Sequence, residues 1–71
     1  MKFKDTKYGD LTGKTYYEDI KIMKLNIKTL KGSPKIATGS FNCNNNEITS
    51  LKNSPKRVDG WFDCSNNKLE T

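Results

Sequence analysis

Residues 27–47 and residues 48–68 are one 21-residue segment written twice, with no gap between the copies. Ile27 meets Ile48, Leu30 meets Leu51, and Ser33-Pro34-Lys35 meets Ser54-Pro55-Lys56. Gly39, Phe41 and Cys43 meet Gly60, Phe62 and Cys64, and Asn45-Asn46 meets Asn66-Asn67. Leu69 opens a further copy. A fainter copy lies upstream, where Ile20, Ile22 and Leu25 take the places of Phe41, Cys43 and Asn46. A unit this short cannot bury an apolar face alone, but it can when stacked on like neighbours. The repeat therefore restricts the chain to architectures in which successive copies lie side by side.

Each copy reads apolar-x-apolar-x-x-Asn-x-apolar-x-x-apolar. Phe41 and Cys43 are two apart, so an extended strand turns both to the same side. Phe62 with Cys64, and Ile20 with Ile22, do the same. Parallel strands in register, about 4.8 Å apart, align these residues into apolar columns. Leu30 with Leu51, and Ile27 with Ile48 and Leu69, carry the core around the bend. The amides of Asn46 and Asn67 suit backbone groups in the turn that would otherwise be stranded. The return path holds Gly32, Pro34 and Gly39, then Pro55 and Gly60. Proline fixes φ and removes a donor, which predicts an irregular or 3-10 convex side with Ala37 and Val58 pointing inward.

The expected fold class is mainly β: a short solenoid with one parallel strand per repeat, in a single domain over residues 1–71. Residues 19–71 form about two and a half repeats, and residues 1–18 read as an N-terminal cap. Within the cap, residues 2–8 and 15–17 have strand-like composition and residues 9–13 form a turn cluster. A β-hairpin covering the first edge of the sheet is the expectation.

The units Phe41-x-Cys43-x-x-Asn46-x-Ile48-x-x-Leu51 and Phe62-x-Cys64-x-x-Asn67-x-Leu69 resemble leucine-rich repeats. The resemblance covers residues 19–71. It is greatest to the short bacterial type, whose spacer carries Leu-Pro-x-Leu-Pro instead of a helix. It is greater still to leucine-rich repeat proteins of tailed bacteriophages, with their Phe-x-Cys-Ser-Asn-Asn-x-Leu units. Leu25 departs from the pattern, standing where Asn belongs. The resemblance implies a non-enzymatic protein-protein interaction module, encoded by a bacteriophage and acting on a host protein in the host cytoplasm.

Composition sets the remaining bounds. Hydrophobic residues are 32% of the chain and charged residues 30%, whereas a globular domain is about 45–50% apolar with Gly included. A chain this small buries only roughly 60% of its unfolded surface. It must bury a narrow strip very regularly, bind a partner, or stay partly disordered. No apolar run is long enough to cross a membrane, and the first residues lack the apolar core of a signal peptide. A cytoplasmic location with no membrane partner is expected. The net charge of +5 resides entirely in residues 1–35, which hold nine Lys and four acids. One reading is a solvated face. The other is an electrostatic footprint for nucleic acid or an acidic protein, with Tyr8, Tyr16 and Tyr17 stacking on bases and Lys21, Lys24 and Lys28 on phosphates. The lysines are spread singly, which favours the first reading.

Chemistry has few carriers here. The chain has no His, the commonest general base and metal ligand, and no Gly-rich phosphate loop. Cys43 and Cys64 lack the short spacing of a zinc knuckle. No catalytic, cofactor or metal residue is expected. Both thiols fall at inward positions and read as buried and reduced. Neighbouring strands lie within disulfide range, but nothing marks an oxidising compartment.

The outward strand positions form the candidate partner-binding face: Asp19, Lys21 and Met23, then Ser40, Asn42 and Asn44, then Trp61, Asp63 and Ser65. Solenoids usually bind on this face. Trp61 either packs sideways on its strand neighbours or stands as an exposed aromatic anchor. The last strand predicts an uncovered edge. Trp61, Phe62 and Leu69 would there support an antiparallel homodimer about a two-fold axis.

Overall fold

Backbone pairing between copies follows the spacing of the repeat. The computed structural model describes residues 2–70. A 3-10 turn covers Phe3–Asp5, and six short strands follow: β1 (Thr15–Tyr16), β2 (Ile20–Lys21), β3 (Ile36–Ala37), β4 (Phe41–Asn42), β5 (Arg57–Val58) and β6 (Phe62–Asp63). They make two parallel sheets of order β1-β3-β5 and β2-β4-β6. Thr15 pairs with Ile36 and Ile36 with Arg57; Ile20 pairs with Phe41 and Phe41 with Phe62. Every partner is thus one repeat away. The described residues are mainly strand and loop, and no helix among them is long and apolar enough to cross a membrane.

The ladder runs past the strand ends. Ile20, Ile22 and Lys24 donate to the carbonyls of Ser40, Asn42 and Asn44, and Phe41, Cys43 and Asn45 donate to those of Trp61, Asp63 and Ser65, all at 2.7–3.2 Å. The return path is irregular over most of its length, as expected, and among the described residues the 3-10 conformation occurs only at Phe3–Asp5. What the spacing does not predict is the two-residue strand in each copy, β1, β3 and β5, that makes a second sheet. The reason is the stacking itself. With an identical backbone alongside, Lys35 and Thr38 donate to Lys14 and Tyr16, and Lys56 and Asp59 to Lys35 and Ala37. Pairing with a neighbour satisfies these groups without a helical turn.

The N-terminal segment is not a β-hairpin. β1 pairs parallel with β3, as the first rung of the repeat. The preceding residues instead drive Phe3 into the core. Its ring stacks on Phe41 at 6.4 Å and 5°, and Phe41 stacks on Phe62 at 5.6 Å and 17°. Burying an aromatic ring against the open end of the core outweighs the strand-like composition around it. Gly32 makes room at φ +101°, where a Cβ would sit 3.3 Å from the Phe3 Cβ. Leu11 completes the cover, its N–H donating to the Gly32 carbonyl at 2.8 Å.

The core contains Phe3, Leu11, Ile20, Ile22, Ile27, Leu30, Ala37, Phe41, Cys43 and Ile48. Ala37 faces inward as expected, and Val58 packs against the same cluster. Asn46 is 7% exposed. Its Oδ1 accepts the N–H groups of Leu25 and Ile27, and its Nδ2 donates to the carbonyls of Ile22, Cys43 and Asn44. Asn67 makes four of the five equivalent bonds one copy on, to Ile48, Cys43, Cys64 and Ser65. Lys24, Asn45 and Asn66, one repeat apart, all have φ near +56°. Asn tolerates that region better than other non-glycine residues. Gly39 is required by contact: a methyl there would meet Asp19 Oδ1 at 2.5 Å and backbone at 3.0 Å.

Burial decays along the array. Leu30 is fully buried, but Leu51 is 42% exposed, and Phe41 is buried where Phe62 is 39% exposed. Leu51 and Phe62 are expected inside on the repeat pattern. Phe62 still stacks on Phe41, yet among the described residues no strand covers the outer flank of β5 or β6. The two phenylalanines should therefore respond unequally. Phe41→Ala is expected to cost about 3–5 kcal/mol, as large core truncations do, and to unfold the chain. Phe62→Ala should cost clearly less. Equal thermal destabilisation of the two variants would contradict the graded burial.

Candidate functional site

The outward residues of β2, β4 and β6 meet at one groove. Asp19, Lys21, Ser40, Asn42, Trp61 and Asp63 line a depression of about 530 Å³, backed by Ile20, Phe41 and Phe62. Six of the nine expected face residues are thus brought together. Met23, Asn44 and Ser65 lie outside the groove.

Equivalent positions in the three copies play unequal parts. Asp19 Oδ1 accepts the Ser40 N–H at 2.8 Å, and Ser40 Oγ accepts the Trp61 N–H at 3.1 Å. Each side chain thereby holds the next copy by its backbone. Trp61 stands third in this series, and indole has a donor but no acceptor to continue it. Its side chain is 84% exposed. The sideways packing weighed for Trp61 is not adopted.

The carboxylates are largely committed to the scaffold. Asp63 Oδ1 accepts the N–H and hydroxyl of Ser65 at 3.0 and 2.7 Å, and Oδ2 accepts the Asn44 amide at 3.1 Å. These bonds, the Ser65 N–H foremost, hold the Asp63 carboxyl below the usual range. Their stabilising effect is present above the ordinary carboxylate pKa and fades as pH falls through the lowered one. Asn42 Oδ1 likewise accepts the Asn44 N–H. The Trp61 ring and the Lys21 ammonium stand free of these bonds, and Asp19 and Asn42 each use only Oδ1 in them. No cluster of three or more Cys, Asp or Glu able to hold a metal occurs among the described residues.

The tyrosines do not form a stacking platform. Tyr8 and Tyr16 pack edge to face at 5.4 Å and 85°, and Tyr8 lies 6.1 Å from Phe3. The Tyr8 hydroxyl accepts the Lys21 N–H at 2.8 Å. Both rings brace the end of the core, and Tyr17 alone of the three is strongly exposed, at 77%. Sequence spacing carries no sign of this, because the contacts join Tyr8 and Phe3, which lie outside the repeat, to residues within it.

The thiols are free. Cys43 is buried, and desolvation, aided by Cys64 and Asp63, pushes it up to about 12. Cys64, expected to be buried too, is only partly so, for the same reason as Phe62. Comparison with known proteins returns no matching family model, no matching curated protein and no matching solved structure.

Thiol chemistry reads out this asymmetry. Non-reducing mass spectrometry should show two free thiols, and a neutral-pH alkylating reagent should modify Cys64 well before Cys43, whose thiolate is scarce. A native mass lower by two hydrogens, or faster labelling of Cys43, would contradict the arrangement.

Proposed function

We propose that this chain is a short solenoid of the leucine-rich-repeat type that binds a protein partner, without catalysis, through the groove on β2, β4 and β6. The observation that carries the reading is Trp61, 84% exposed beside that groove with its side chain unused by the scaffold. Aromatic anchors ringed by polar groups dominate binding energy at protein interfaces. Asp19, Lys21, Asn42 and Asp63 supply such a rim. The pairing of every strand at one repeat spacing supports the solenoid reading. The phage-like repeat units favour an accessory protein that binds and modulates a host protein in the host cytoplasm.

A photoreactive amino acid at Asn42 tests the groove in a bacterial cytoplasm. A defined adduct is expected, and the Trp61→Ala change should remove it. With the partner purified, Trp61→Ala should weaken binding by about 2 kcal/mol, roughly 30-fold in Kd. Equal adducts from the probe placed at Lys52, or full retention after Trp61→Ala, would discard the groove.

A second reading rests on a separate observation. Leu51, Phe62 and Trp61 are all exposed in the last described copy, with Leu69 partly so. A second copy of the chain docking edge to edge would cover them with one contact. Sedimentation equilibrium should then show a dimer at micromolar concentration that Phe62→Lys dissociates; a folded monomer at high micromolar concentration would eliminate self-association.

A further inference from the structure

The cleft between the N-terminal segment and residues 28–32 gathers Lys2, Lys4, Lys28 and Lys31 around a volume of about 690 Å³. That volume falls in the roughly 300–1,000 Å³ range of ligand clefts. The gathering has a structural cause. Lys2 and Lys4 flank buried Phe3, while Lys28 and Lys31 sit between and beside buried Ile27 and Leu30. The packing of Phe3 on Gly32 brings the two pairs around one cleft. Lysines that are scattered in sequence are thus concentrated in space.

Among the described residues no ion pair engages these four lysines, and the charge of Asp10 in the wall is felt by Lys4. The ion pairs among the described residues are Arg57–Asp59 and Lys68–Glu47, neither of which touches the cleft. The one carboxylate in its wall, Asp10, accepts both the N–H and the hydroxyl of Thr12 through Oδ1. Thr29 Oγ1 accepts the Lys31 N–H and keeps its own proton to donate. Four ammonium groups and a hydroxyl donor therefore face one already engaged carboxylate.

We propose that this cleft binds the phosphodiester backbone of a single nucleic-acid strand. The four lysines come from two segments around one cleft, which a flexible single strand can follow and a stiff duplex cannot enter at this volume. The lining contains no strand residue, so an acidic peptide has no edge to pair with and loses the main-chain bonds that usually hold one. Lysines act as point charges on flexible stems, suited to phosphate contacts that position without reading sequence. The cleft shares no residue with the Trp61 groove, and it does not use the tyrosines.

Fluorescence anisotropy of a labelled oligothymidylate at low ionic strength is the test. Binding is expected to weaken with salt at a log–log slope of about −3, since each neutralised phosphate of a single strand contributes about −0.7. The double change Lys28→Ala and Lys31→Ala should halve that slope and weaken binding at least about tenfold at low salt. Replacing the same two lysines with Arg should restore it. Lys52→Ala with Lys56→Ala, outside the cleft, and Trp61→Ala should each leave affinity within about twofold of the parent. Failure of the parent to bind, or equal weakening by the cleft pair and the Lys52/Lys56 pair, would overturn the proposal. So would polyglutamate binding as tightly as the oligonucleotide, which would make this an acidic-polypeptide site.

Discussion

The side-chain amide of Asn46 satisfies five backbone groups drawn from two adjacent copies. Its oxygen takes the N–H of Leu25 in the copy before and that of Ile27 at the start of its own, and its nitrogen reaches the Ile22 carbonyl in the copy before and two carbonyls in its own turn. Each buried group left unpaired would cost about 1–3 kcal/mol, so no apolar residue of the same size could stand here. This contact fixes the separation and register of neighbours at their sharpest bend. The ladders of both sheets, the stacked phenylalanines and the buried column of Ile27 and Ile48 all presuppose that register.

The same dependence explains why the upstream copy is faint. Asn46 and Asn67 bond backward, and Gly39 and Gly60 are small because the preceding copy's backbone crosses closely over them. The faint copy has Leu25 and Glu18 at the equivalent positions, and among the described residues no further repeat is stacked against it there to require an amide or forbid a side chain. Leu25 instead packs against the core. The end of the array is closed by Phe3, which belongs to no repeat.

Function divides along the same lines. The groove near Trp61 is built from strand positions that the repeat presents three times, and it differs from copy to copy only in what each side chain does. Asp19 and Ser40 hold backbone, while Trp61 does not. The lysine cleft is built by the closing segment folding back on the first bend. One region offers an apolar anchor with a polar rim, and the other an excess of positive charge.

Much of this was legible in the residues. The period, the inward pairs such as Phe41 with Cys43, and the outward set including Asp19, Asn42 and Trp61 follow from strand alternation and a 21-residue identity, which are local properties. The bonding of Asn46 was legible in kind, since a polar residue at a buried turn must serve the backbone. Three matters were decided only in three dimensions. Phe3 became core because its ring fits the uncovered face of Phe41, a contact no periodicity records. The return path paired as a second sheet because an identical backbone lay alongside it. Lys2, Lys4, Lys28 and Lys31 became one cleft because Phe3 closes on Gly32. Repetition encodes how a copy meets its like; contacts between unlike segments depend on shape and space at the ends of the array, and those exist only once the chain has folded.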